Sequence, residues 1–210
     1  MPAGRSEKSR NAILEAAAAL FSRNPGASLS EVAETADVGR ATLHRHFASR
    51  EDLIRTLALD ALRRTDEATE HIEREAKSAV HAMQLMIEAV VPLGDHFHFL
   101  ATEPAAQRDP EIEAVYRRQL DEVAELVEAM RGEGAVGQDL PTLWVAATID
   151  ALIYTAWTAV REGSIARNDA ATLVFRTLLS GIGPEPAAGS SVAPSGSPGR
   201  TTKKKRGDQS

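Results

Sequence analysis

The chain has 210 residues, with 24 Lys and Arg against 30 Asp and Glu, a formal net charge of -6 and no cysteine. With 43% hydrophobic residues it can bury a core, as one large domain or two small ones. The missing cysteines exclude a disulfide scaffold, a zinc ribbon and a thiol nucleophile, and the acid excess argues at first sight against a nucleic-acid partner.

The N-terminus carries Arg5, Glu7, Lys8 and Arg10 and then a short Ala-rich run broken by Glu15, which is not the layout of a signal peptide. No stretch approaches the roughly 20 uninterrupted apolar residues of a membrane helix, and the cytoplasm is the expected location. Apolar residues recur at spacings of three and four, so an all-α chain of about nine helices is expected. The first covers 7–23, with Ile13, Ala16, Ala17, Leu20 and Phe21 on one stripe, and Pro25 and Gly26 end it. Ser28 followed by Glu31 is a capping box opening a short helix at 29–35. Asp37, Val38 and Gly39 form a tight connection to a second short helix at 40–47. Ser49 is a suitable N-cap, and Glu51 and Asp52 suit the positive end of a long helix at 51–76. Further helices are expected at 78–91, ended by Pro92, and at 94–101. Asp109 as N-cap with Pro110 starts another, to 130, closed by Gly132 and Gly134. Pro141 opens the most apolar helix, to 161, and Asn168 and Asp169 cap the last, which ends near 181–184. Residues 184–210, rich in Pro, Gly and Ser and carrying a KKKR run, are expected to be a disordered basic tail.

Two short helices joined by a tight turn, the second ending in Phe47, make a helix-turn-helix that lays its second helix in the DNA major groove. Val32, Ala33, Val38, Leu43 and Phe47 have the spacing to pack inward, which turns Arg40, Ala41, Thr42, His44, Arg45 and His46 outward. Arg pairs bidentately with guanine, and Ala and Thr touch a thymine methyl, so Arg40, Ala41 and Thr42 are assigned to bases. Arg45 serves a base or a phosphate, while His44, Ser28 and Arg50 hold the DNA backbone. Nothing in the packing of three helices requires such a set on one face. The charge objection also weakens, because residues 1–54 hold as many basic as acidic groups and the acid excess falls in 55–183.

Ala16, Ala17, Leu20, Phe21, Gly26, Ser28, Val32, Ala33, Val38, Thr42, Leu43, His46, Phe47, Ser49, Glu51 and Leu53 follow one another in the order and spacing of a known domain. The segment from Arg10 to Leu53 resembles the N-terminal DNA-binding domain of the tetracycline-repressor (TetR) family. It departs from that pattern at Asp37, where Gly is usual, at Gly39 in place of a capping Ser, at His44 in place of a Tyr and at Arg50 in place of a Lys. The resemblance implies a three-helix DNA-binding domain at 1–54 and a helical ligand-binding and dimerisation domain at 55–183. It further implies a homodimeric repressor of palindromic operator DNA, released by a small-molecule effector and needing no cofactor.

The last two helices, at 143–161 and 170–180, are the expected dimer seam, through Val145, Ile149, Leu152, Ala156 and Ala159 on one and Leu173, Val174, Leu178 and Leu179 on the other. A ligand pocket is mostly apolar with a few placed polar groups. Asp150, Tyr154 and Trp157 share one face of their helix, and Met83, Met86, Phe97, Phe99 and Tyr116 are candidates for the opposite wall. Asp150 needs a partner: a cationic ligand, Arg161 or another Arg of the chain, or a second subunit; an intramolecular ion pair is the plainest choice.

Two rival readings belong to other classes. A metal-dependent hydrolase would use Asp95, His96 and His98, but two His separated by one residue on a helix point to nearly opposite sides, and no HExxH, GxSxG or phosphate loop accompanies them. An interaction protein with a degenerate DNA-binding unit would be consistent with Gly39 and His44.

Overall fold

The computed structural model describes residues 3–94, 103, 106 and 108–183. Most of the helix expected at 94–101, with Asp95, His96, Phe97, His98 and Phe99, and the tail at 184–210 lie outside the described residues. The order is α1 (Ala3–Phe21), α2 (Leu29–Thr35), α3 (Arg40–His46), α4 (Arg50–Thr69), α5 (Ile72–Glu75), α6 (Ala79–Val90) with a 3-10 turn at Val91–Leu93, α7 (Pro110–Gly132), α8 (Thr142–Arg161) and α9 (Arg167–Ile182). No strand occurs among the described residues.

Local chemistry accounts for most of these boundaries. The Ser28 hydroxyl accepts from the Glu31 amide at 3.3 Å while the Glu31 carboxylate accepts from the Ser28 amide at 2.7 Å, which completes the capping box of α2. Those donors favour the ionised carboxylate, so Glu31 titrates below its ordinary value, chiefly through the Ser28 amide. Ser49 and Ser78 cap α4 and α6 through the amides of Asp52 and His81, and Asp109 caps α7 through those of Glu111 and Ile112. Helix α2 ends in a Schellman motif: the Val38 amide donates to the Ala33 carbonyl at 3.0 Å and the Asp37 amide to that of Glu34 at 3.1 Å. That motif puts Asp37 at φ 53°, the left-handed region.

Two expectations give way here. The long helix expected at 51–76 stops at Thr69. The Thr65 and Thr69 hydroxyls bond back to the carbonyls of Ala61 and Thr65, which competes with the helical ladder, and Ile72 turns into the second core. Asn168 and Asp169 do not cap α9, which begins one turn earlier behind Ala166, so both lie within its first turn.

Burial sorts the side chains into two cores. The first joins Ile13, Ala17, Phe21, Val32, Ala33, Leu43 and Phe47 to Leu53, Ile54, Leu57 and Leu62 of α4, and takes in Ile112 from α7. The second joins Met83, Ile87 and Val90 of α6 to Val127 and Met130 of α7, Val145, Ile149 and Ile153 of α8, and Val174 and Leu178 of α9. Residue 54 falls inside α4, which runs unbroken from the first core to the edge of the second. A rigid helix common to both bodies makes the position of one depend on that of the other.

Candidate nucleic-acid interface and effector cavity

Helix α3 packs on the first core through Leu43 and, just past its end, Phe47, each 1% exposed. Arg40, Ala41, His44 and Arg45 are exposed and Thr42 is half-buried, so one outward face carries three cations or donors beside a methyl and a hydroxyl. Gly39 stands at the N-cap with φ -67° and no side-chain cap, and a β-carbon there would meet open space. Arg10 lies with its guanidinium 5.9 Å from the centre of the Phe47 ring, which brings a second basic element beside α3.

Three members of the expected DNA set are engaged within the protein. Arg50 donates to the Pro25 carbonyl, lies 3.4 Å from Glu103 and rests 5.0 Å over the Phe21 ring, so it ties the start of α4 to the loop after α1 instead of facing outward as a backbone clamp. His46 is half-buried and tilted against Phe47, and its Nε2 is shielded and without a hydrogen-bond partner. That nitrogen does not reach a phosphate in this conformation. The Ser28 hydroxyl remains exposed but serves the capping box.

Between α4, α6, α7 and α8 lies a cavity of about 600 Å³. Leu62 and Thr65 come from α4, Met86 and Val90 from α6, Tyr116, Gln119 and Val123 from α7, and Ile149, Asp150, Ile153, Tyr154 and Trp157 from α8. Met86, Tyr116, Asp150, Tyr154 and Trp157 of the expected set thus come together. Met83 does not join them: it is fully buried in the second core, one helical turn from Met86. Sequence reasoning missed Gln119, whose amide donates to the Leu62 carbonyl at 2.9 Å and to Asp66 at 2.7 Å. A Gln on an acidic helix carries no signal of its own until α7 is laid against α4.

The partner of Asp150 is not an arginine. The Tyr116 hydroxyl donates to it at 2.8 Å, and Arg161, eleven residues along α8, donates to the Ser22 carbonyl instead. Asp150 is exposed as a residue, yet the apolar walls packed against its carboxyl push it above its ordinary value, partly opposed by the Tyr116 hydrogen bond. The same walls, followed by the negative charge of Asp150, push the Tyr116 phenol upward, so it stays a donor. The lining contains two carboxylates, Glu113 and Asp150, and no Lys, Arg or His among the described residues. Glu113 pairs with Arg117. Trp157 belongs to the lining, its indole nitrogen donating to the Val91 carbonyl at 2.9 Å.

The described residues contain no cluster of three or more His, Cys, Asp or Glu able to hold a metal. Asp95, His96 and His98 lie outside them.

A helix-turn-helix on a small three-helix core, joined by one continuous helix to a body with a cavity, is the architecture of a two-part DNA-binding regulator. The sequence model of bacterial regulatory proteins of the tetR family matches residues 13–57. The HTH-type transcriptional repressor LfrR of Mycolicibacterium smegmatis is 30% identical over 179 residues, which span 85% of this chain and 93% of that protein. The crystal structure of LfrR in complex with proflavine superposes with a TM-score of 0.72 at 28% identity, over 84% of this chain and 97% of that one. A second crystal structure of LfrR gives 0.58 at 26% identity, over 81% of this chain and 97% of that one. The chain belongs to the TetR family and is a DNA-binding transcriptional regulator. With that membership the hydrolase reading is set aside.

Proposed function

We propose that the protein is a homodimeric repressor of palindromic operator DNA, acting in the cytoplasm, and that a lipophilic planar cation releases it. The observation that carries the ligand class is the lining of the cavity: aromatic and aliphatic walls, Asp150 held by a neutral hydroxyl and, among the described residues, no cationic side chain in the lining. A carboxylate exposed at an apolar wall gains most from a ligand that brings both a positive charge and a flat apolar body, since the ligand itself covers the charge pair while its rings contribute area. LfrR, the relative crystallised with proflavine, supports the same class.

The two-fold assembly is supported by a face left over once each subunit has folded. Val145, Ile149 and Ala156, expected in the dimer seam, are buried in the subunit's own core, and so are Val174 and Leu178 of α9. The outward face of α8 instead carries Leu143 at 73% and Trp144 at 54% exposure beside exposed Ala147, Ala151 and Thr155. Small residues around one aromatic anchor allow close approach of a matching helix, and an isologous dimer would set two α3 helices on half-sites about 34–36 Å apart or at a multiple of that spacing.

The test is a titration of a duplex taken from upstream of the protein's own gene. Sequence-selective binding that weakens steeply with salt is expected, as is release by proflavine. Asp150→Asn should bind the duplex as the parent does while losing at least about tenfold in proflavine affinity, the loss expected for one charge-assisted contact in a partly desolvated site. Equal proflavine affinity in the two chains would remove the cationic class.

A further inference from the structure

Gly94 follows the 3-10 turn at Val91–Leu93 and is buried. Its backbone sits at φ -51° and ψ -34°, ordinary right-handed helix, where alanine is favoured over glycine. Gly134 and Gly163 stand at positive φ with open space around them, so conformation accounts for those two and not for Gly94. What Gly94 supplies is room. A β-carbon on it would lie 2.7 Å from Cγ and 3.0 Å from Nε1 of Trp157, and nearer still to Cδ1. These atoms are the root of the indole, not the tip of a flexible chain, so no small rotation clears them. The ring is also held in place: the Val91 carbonyl accepts from the Gly94 amide and from the Trp157 indole nitrogen, the latter at 2.9 Å. One carbonyl with two lone pairs thus draws the indole onto the point where a side chain at 94 would start. The same indole lines the cavity, whereas Gly94 does not.

We infer that Gly94 is a positioning residue that sets the size of ligand the cavity accepts: its missing β-carbon lets Trp157 lie back against the turn, which keeps the cavity open to fused-ring ligands. The inference rests on the proposed function for its ligand class and adds what limits the size of that ligand. A β-carbon at 94 forces the indole off the Val91 carbonyl. In a close-packed interior a displaced ring goes where there is space, and the open volume beside it is the cavity of about 600 Å³. An indole swung into that volume takes the place of one ring of a fused-ring ligand, so the glycine acts on specificity without touching the ligand.

The experiment uses the full chain, with proflavine as the probe and the upstream duplex as DNA. Gly94→Ala should lose about tenfold in proflavine affinity, the size of one lost ring contact, and should bind the duplex within about twofold of the parent. The chain has two tryptophans, so Trp157→Ala identifies the Trp157 indole N–H signal in a nitrogen-edited NMR spectrum. In Gly94→Ala that signal should move and exchange faster with water, since the bond to Val91 is broken. Melts supply a test that needs no ligand: Gly94→Ala should lower the melting temperature of the parent and raise that of Trp157→Ala, where only the helical preference of alanine remains. Parent-like proflavine affinity in Gly94→Ala overturns the inference and leaves the proposed function standing. So does an unmoved indole signal, or the same change of melting temperature in both backgrounds. A Gly94→Ala chain that does not fold, and that Trp157→Ala does not restore, overturns it too. A parent that proflavine does not bind overturns the ligand class, and the inference with it.

Discussion

At Asp37 the backbone takes φ 53°, the C′ position of a Schellman motif, and the equivalent positions after α7 and α8 are held by Gly134 at φ 78° and Gly163 at φ 74°. An L-residue there costs about 1–2 kcal/mol and glycine gives back roughly 0.5–1 kcal/mol in unfolded-chain entropy, so Asp37→Gly should raise stability by about 0.5–1 kcal/mol. Gly39→Ser, with open space around the new β-carbon, should add only a few tenths of a kcal/mol, because glycine is itself a tolerated N-cap. Thermal melts of the two variants check both figures. The arginines divide by what they touch. Arg40→Ala should relax base preference while leaving the melting temperature unchanged, because Arg40 is exposed on the reading face. Arg50→Ala should lower the melting temperature, since it removes the bond to the Pro25 carbonyl and the contact with Phe21; equal melts for Arg50→Ala and the parent would return Arg50 to the DNA. Asp150 gives a pH signature. Its folded-state pKa is raised above 3.8, so the folded chain binds that proton more tightly than the unfolded one. Folding stability therefore gains as pH falls through the raised value towards 3.8, while cation affinity falls over the same window because only the carboxylate attracts a cation. Proflavine titrations between neutrality and that window should show the loss, and Asp150→Asn should flatten it.

At the scale of elements, α8 decides most. By length and composition alone Thr142–Arg161 suffices to cross a membrane, with a mean hydropathy of 1.4, yet only a third of that stretch is buried within the protein. In the fold it serves three purposes at once: one face fills the second core, one stripe lines the cavity, and one face is left outward. Sequence periodicity shows that α8 is apolar but does not rank its faces: of the stripe expected at the dimer seam, Val145, Ile149 and Ala156 are buried inside the subunit, while Leu152 and Ala159 are half-buried. Trp144→Glu places a charge at the centre of the outward face without touching either core. It should convert a dimer into a monomer in sedimentation and weaken duplex binding, since one half-site remains, and should leave the melting profile of the subunit intact. A dimer that survives this change would move the seam off α8.

Over the whole molecule, the net charge of -6 averages a neutral reading unit, an acidic body and a basic tail. Some acids of the body sit in ion pairs that join α4 to its neighbour α7: Arg55 with Asp109 at 2.8 Å and Arg118 with Asp66 at 2.7 Å. Such exposed pairs add little stability singly, but they join α4 to α7, and Gln119 adds a lining residue to the same seam. The sequence by itself determined what depends on neighbours a few residues apart: the helical period, the capping box at Ser28 and Glu31, the turn at Asp37, and the outward set Arg40, Ala41, His44 and Arg45. These rest on local hydrogen bonds and on 3.6-residue spacing, which are written in order along the chain. Only the tertiary structure decided that Asp150 meets Tyr116 and not an arginine, that Arg161 reaches Ser22, that Arg50 turns inward and that Met83 lies behind Met86. Each of those contacts joins residues distant in sequence, or ranks two apolar faces by the helices they meet, and packing in three dimensions is the only place where that information exists.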